Sequence, residues 1–253
     1  FVIMFIFFQA KAQYAMFLKQ GNITFERKVN TLALMEEKNK DGDNSWVQQY
    51  IDAYKKAGYQ FTTTQFNLAF NGNKTLYTPV IDNTPKSGPN DWTSVANNNT
   101  VYTDLSKEES VALKTVFDDR FLVTDSTRKI HWKITDELRD IAGLPCRRAN
   151  AIIMDSVYVV AFYTTEILTS GGPESFSGLP GMILGVALPH EHVTWFATKV
   201  SVNPPVTETQ LVPPAEKRVK AVSKKEFLGE LQNSLKDFWN KNAAPMIIQN
   251  AML

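Results

Sequence analysis

Cysteine is nearly absent from this chain: one residue, Cys146, in 253. No intramolecular disulfide is therefore possible. The small, weakly polar thiol favours burial over exposure or metal ligation. Basic residues are not in excess, with 27 Lys and Arg against 26 Asp and Glu and a net charge of +1. No long Lys/Arg block exists, so the electrostatic footprint of a nucleic-acid binder is missing. After the first eight residues no apolar run approaches the ~18 residues of a membrane-crossing helix. Catalytic signatures are lacking too. The chain has no P-loop, GxGxxG, GxSxG, HExxH or CxxC pattern. Histidine is scarce at three residues, and two of them, His190 and His192, lie one residue apart.

What is present is an ordinary globular composition, with 43% hydrophobic and 21% charged residues. The opening "FVIMFIFF" is apolar but too short to span a bilayer. Gln9 and the small-x-small triplet Ala10-Lys11-Ala12 follow, a pattern that suits signal peptidase. Residues 1–12 read as a truncated signal peptide, with the mature domain beginning near Gln13; the alternative is an apolar first strand. Without Lys11, basic and acidic side chains are equal in number. The expected product is exported and soluble or peripheral.

Along residues 13–253 a single domain is expected. Residues 21–30 alternate Ile23 and Phe25 with polar positions, a strand. In "SWVQQYIDAYKKAG" the residues Trp46, Val47, Tyr50, Ile51 and Tyr54 share a helical face, Ser45 and Gln48 form a capping box, and Gly58 stops the helix. Strand and turn text runs from Gln60 to about Asp104, with "NGN" as a hairpin signal. A long polar loop begins at Asp82. Two strands flank Asp118-Asp119, and "KIHWKIT" places Ile130, Trp132 and Ile134 on one face and His131 on the other. Two more strands flank the turn at Gly143, and residues 155–167 form the strongest strand signal. The segments "GMILGVAL" and "HVTWFATKV" make a further pair. Residues 203–214 read as a proline-stiffened linker. The last helix is expected over 223–242, with a Ser223/Glu226 capping box, a Val222–Phe227 staple and an apolar stripe through Leu231, Leu235, Phe238 and Trp239. Pro245 starts a final helical turn.

Strands between an early and a late helix predict the α+β class: a mainly antiparallel curved sheet or half-barrel with an N-terminal and a C-terminal helix packed on it. "WKIT", "IAGLPCRRA", "VAFYTTEI" and "GGPESFSGLPGMILGV" occur in the order and spacing found in the GLPGLI family of exported proteins, mostly from Bacteroidota. The chain resembles that family from its first strand through Val200. Gly178, Leu179, Pro180 and Gly181 carry the family's motif, with Met182 where Leu is usual, and Leu144 stands where a Tyr is usual. The resemblance implies an exported, strand-rich protein of unknown activity, without catalytic residues to carry over. It also implies an accessory role beside outer-membrane transport systems. A half-barrel like those of periplasmic lipoprotein carriers is an analogy of fold only.

The motif glycines and Pro180 read as a tight turn into a close-packed strand. His190-Glu191-His192 is the sharper chemical candidate. With Glu191 on a strand, both imidazoles share a face about 6–7 Å apart at Cα. That pair is a workable chelate for Zn²⁺ or Cu²⁺, with Cys146, His131, Glu166 and Asp155 as further donors in principle. Arg147 and Arg148 beside Cys146 are expected to lower its pKa slightly. The leading functional expectation is a non-enzymatic periplasmic or outer-membrane-associated protein. It would bind an outer-membrane transport component or a small apolar or peptide ligand, with no nucleic acid partner and no transmembrane span. A metal-binding protein and an exported hydrolase are the alternatives.

Overall fold

Alternation dictates the architecture. The computed structural model describes residues 17–39, 45–81, 95–117, 119–217, 219–236 and 244–253. In β1 (Gln20–Val29) every second residue from Gly21 to Val29 is buried, and in β2 (Thr62–Asn71) the same period holds from Thr62 to Phe70. Their antiparallel register sets Ile23 against Leu68 and Phe25 against Phe66, so two apolar rows merge on one face. The pattern continues through β3 (Lys74–Pro79), β4 (Thr100–Asp104), β5 (Glu109–Val116) and β6 (Asp119–Ser126) as a meander leading away from β1. On the other side of β1 lie β11 (Val193–Ser201), β10 (Met182–Leu188), β9 (Val157–Thr164), β8 (Leu144–Ile153) and β7 (Lys133–Ile141), in that order. A two-residue β12 (Ala221–Val222) pairs parallel to β6 at the far edge, while the other named strands pair antiparallel and a single parallel bridge joins Leu18 to Ile167.

The connection from β6 to β7 explains the curvature. In the twelve-strand order these elements stand second and last. A flat sheet would separate them by about 48 Å at ~4.8 Å per strand. Only residues 127–132 join them, and seven extended steps reach at most about 25 Å. The sheet must therefore curl its ends toward each other. Contact between β7 and β11, and Arg139 of β7 lying 4.9 Å from the Phe196 ring centroid, show that it does.

The α+β expectation is overturned: the chain is mostly β, a single open curved sheet. Among the described residues there are four helices, paired at two places instead of one docked at each terminus. Helices α1 (Thr31–Lys38) and α2 (Ser45–Lys56) pack largely on each other through Met35, Val47, Ile51 and Tyr54. Helices α3 (Lys224–Ser234) and α4 (Ala244–Met252) cover the β5–β6 end, where Phe227, Leu231, Ile247 and Ala251 meet Val116 and Val123, while Met246 of α4 joins the main core. The expected helix over 223–242 ends at Ser234, and Phe238 and Trp239 lie outside the described residues. Its capping box is present: the Glu226 N–H donates to Ser223 Oγ at 3.2 Å and the Ser223 N–H donates to Glu226 Oε2 at 2.7 Å.

Other local departures have simple causes. Helix α2 begins at Ser45, so Ser45 is its first helical residue instead of its cap, and Gln48 Oε1 accepts from Asn39 Nδ2 at 3.2 Å. Strand β7 starts at Lys133, so Trp132 and Ile134 do not share a face; Trp132 donates its Nε1–H to the Ser177 carbonyl at 2.9 Å, while Ile134 is exposed. The expected linker over 203–214 is anchored, since Val206 and Leu211 pack with Tyr102. Residues 1–12, expected to be a signal peptide, residues 82–94, expected to be part of a polar loop, Asp118 and the Trp46 side chain lie outside what is described. Among the described residues no helix is long and apolar enough to cross a membrane.

Candidate functional site: a cationic cleft under the last helix

The inward positions of β1 run Ile23, Phe25, Arg27 and Val29, so a guanidinium takes a core position. Burying a charge costs several kcal/mol unless partners replace its water. Arg27 Nη1 donates to Asn97 Oδ1 at 2.8 Å, and Thr64 Oγ1 donates to the same oxygen at 3.1 Å. The guanidinium also lies 5.5 Å from the ring centroid of Trp195, its cross-strand neighbour on β11.

Residues 171–181, between β9 and β10, cross this inner face and bring down Glu174, which is 2% exposed and has φ +51°. Asn99 Nδ2 donates to Glu174 Oε2 at 3.0 Å, whereas Glu174 Oε1 and Asn99 Oδ1 are buried without a hydrogen-bond partner. Burial pushes the Glu174 pKa up, against the pull of Lys114, Asn99 and Arg27.

Beside Glu174 opens a cavity of about 60 Å³ between the sheet and the helices. Lys114 enters it from β5, at a position that should be apolar by strand phase, and is 7% exposed. Its Nζ donates to the Ala251 carbonyl at 2.9 Å. From the β6–β7 connection, Arg128 donates Nη2–H to the Met252 carbonyl at 2.5 Å and Nε–H to Ser175 Oγ at 3.2 Å. Ser175 in turn donates to the Leu253 carbonyl. Helix ends leave carbonyls unpaired and carry partial negative charge, so these donors cap α4.

The third cation is Lys224, the first residue of α3. Burial, then the positive charges of Arg128 and Lys114, lower its pKa to about 7. Burial likewise lowers Lys114 and Arg128. Across the cavity, Asp125 accepts from the backbone N–H of Ser126 at 2.7 Å and of Lys224 at 3.1 Å. Burial raises the Asp125 carboxyl, but these donors outweigh it and hold its pKa below the ordinary value.

The residues singled out from sequence stand elsewhere. Pro189–Glu191 is a 3-10 turn, and His192 adopts the left-handed conformation at φ +53°. The strand that would give His190 and His192 a common face is absent. His190 is exposed and His192 Nε2 pairs with Glu37 Oε2 at 2.8 Å. Among the described residues no group of three His, Cys, Asp or Glu side chains could hold a metal ion. Cys146 is 1% exposed, and burial raises its pKa to about 12, reversing the expected lowering by its arginine neighbours. Gly178 and Gly181 have φ +90° and +144°; Leu179 is buried and Pro180 exposed. Gly178 donates its N–H to the Ser170 carbonyl at 3.0 Å, closing the loop that carries Glu174 and Ser175.

Sequence reasoning missed Arg27, Lys114, Arg128, Glu174 and Lys224. For the first two a signal existed: a charge at the inward phase of an alternating strand. The other three reach the cleft from non-strand segments that carry no such phase.

The sequence model of a family described as "Protein of unknown function (Porph_ging)" matches residues 150–185. The match takes in the loop bearing Glu174. Among curated proteins none gives a significant match. PNGF-II in its P21 crystal form is similar over 83% of this chain and 32% of its own, with TM-score 0.50 and 13% identity. Its C2 crystal form gives 81%, 31%, 0.49 and 12%. An uncharacterized conserved protein from Thermus thermophilus gives 81%, 90%, 0.39 and 6%. This chain spans about a third of the PNGF-II chain it matches. At such identity the likeness to PNGF-II in its P21 form is one of fold alone.

Proposed function

We propose that this chain is an exported envelope protein of the GLPGLI group that binds a small ligand in the cleft beneath α4, without turning it over, in service of outer-membrane transport. The observation that carries the binding reading is the cleft itself, where Lys114, Arg128 and Lys224 line a cavity whose floor holds Glu174 with one oxygen unpartnered. Buried polar atoms without partners are rare in folded chains and mark places where something else completes the set. The apolar opening followed by Ala10-Lys11-Ala12 supports export, and the four separated sequence blocks support the family placement.

Native mass spectrometry of the chain, isolated gently from an envelope fraction, tests the reading. A stoichiometric adduct that disappears in Arg128→Gln is expected. A bare chain from repeated mild isolations, or recovery only outside the envelope, would overturn it.

A further inference from the structure

We infer that the cleft is an oxyanion site built from Lys114, Arg128, Lys224 and Ser175, and that the carbonyls of Ala251 and Met252 stand where a carboxylate or phosphate group of the ligand belongs. This rests on the binding reading above and names its ligand class. Three cations arrive from three separate elements, β5, the β6–β7 connection and α3, and converge on one cavity. Among the described residues none of the three forms an ion pair within 4.0 Å. Of the two carboxylates in the lining, Asp125 is held by backbone N–H groups, and Glu174, bonded to Asn99 through one oxygen only, is pushed toward its neutral acid by burial. Like charges gathered away from water repel, and an anion among them is the direct compensation.

The present acceptors of the two bonded cations are neutral backbone carbonyls near the end of α4, Ala251 for Lys114 and Met252 for Arg128. They carry only the partial charge of a helix end and leave further N–H donors of both cations unassigned. A carboxylate or phosphate offers two or three full-strength acceptors in the same space, with bonds about twice as strong. The cavity of about 60 Å³ has room for roughly four water molecules, the scale of one such group. Entry of the anion displaces the carbonyls, so the end of α4 is an internal competitor.

The test uses the full chain, titrated separately with inorganic phosphate and with acetate, against chloride at matched ionic strength. Calorimetry reads affinity, and hydrogen exchange reads residues 244–253. Saturable one-to-one binding of phosphate or acetate is expected, with faster exchange in 244–253. Arg128→Gln should weaken that binding tenfold or more, while Arg128→Lys stays within a few-fold; circular dichroism confirms that both fold. Binding of neither anion beyond chloride, or binding unchanged in both Arg128→Gln and Lys224→Gln, overturns the site. The two readings fail separately. An uncharged adduct from the envelope that does not compete with either anion keeps a binding protein and sinks the oxyanion site. Anion binding by a chain that never co-isolates with a ligand keeps the site and sinks the envelope role.

Discussion

Gly181→Ala isolates what the Gly-Leu-Pro-Gly motif does. At φ +144° the position lies where L side chains rarely go, and an added Cβ would stand 2.0 Å from the Thr164 carbonyl oxygen and 2.9 Å from its carbon. Neither side can retreat cheaply. The Gly181 N–H is bonded to Leu179 O at 2.7 Å, the Met182 N–H to Ile167 O at 3.1 Å, and Met182 pairs with Thr164 in the β9–β10 ladder. Forcing a methyl into packed backbone costs about 1–3 kcal/mol. A side chain in a glycine-only region adds about 1–3 kcal/mol more. Together these predict a loss of about 2–6 kcal/mol, or a Tm fall of roughly 4–24 °C at ~2–4 °C per kcal/mol for a chain of this size. Two glycines serve as controls. Gly143 has φ +80° with nothing within 4 Å of an added Cβ, so Gly143→Ala should cost about 1 kcal/mol. Gly229 sits in α3 in open space, and Gly229→Ala should stabilise by about 0.5–1 kcal/mol. Thermal and guanidinium unfolding followed by circular dichroism measure all three. If Gly181→Ala loses no more than Gly143→Ala, the close-approach argument is wrong.

Lys114→Ala removes the charged donor to the Ala251 carbonyl; a loss of about 1.5–3 kcal/mol is expected in denaturant unfolding, and Lys114→Met should cost less because it restores bulk. Lys224 has a folded pKa of about 7, below its unfolded value, so between about pH 7 and pH 10 the unfolded chain holds a proton the folded one lacks. Stability should therefore rise with pH across that window, by about 2–4 kcal/mol after allowance for partial exposure, and the rise should shrink in Lys224→Gln; parallel pH profiles for the two chains would refute it. Ser223→Ala breaks the capping box of α3 and should lower stability by about 1 kcal/mol, read from the same unfolding curves. With its pKa raised to about 12, Cys146 should resist iodoacetamide at pH 8 in the folded chain and react once denatured; fast labelling of native protein would contradict its burial.

Two signals made the strands legible: alternation on a two-sided surface, as in residues 21–30, and a continuous apolar run where both faces are buried, as in residues 182–188. The β7–β8 turn was legible at Gly143, and the structure gives it two positive-φ residues, Ala142 and Gly143, as a hairpin of matching twist requires. Fold class was misjudged because α1 and α4 carry weak local signals, and because counting helices at the ends says nothing of how much sheet lies between. The strand geometry expected at His190–His192 is replaced by a backbone turn, because Pro189 opens a 3-10 turn instead of continuing β10. The cleft was the least legible feature. It joins Lys114 to Ala251 across 137 positions and Arg128 to Met252 across 124, and no local pattern encodes such pairings. What alternation did offer, charges at inward positions 27 and 114, was visible and went unused.

The motif and the cleft are linked by geometry without being the same thing. Three glycines pin the loop to the sheet. An added Cβ would meet Thr75 Cγ2 at 2.8 Å from Gly171, Ile183 Cβ and Phe176 O at 2.8 Å from Gly172, and Thr164 O from Gly181. Between these contacts the loop has no slack, so Glu174 and Ser175 are set at a fixed depth beneath α4. The motif thus acts through folding and the cleft through charge, and the two should come apart under mutation. Gly181→Ala should reduce stability and anion binding together, because it moves the loop that carries Ser175. Arg128→Gln should reduce anion binding with a far smaller stability change, because its bonds are to Ser175 and to one helix-end carbonyl that water can reach once the helix shifts. A variant series in which binding tracks stability at every position would mean that the cations serve only to cap α4.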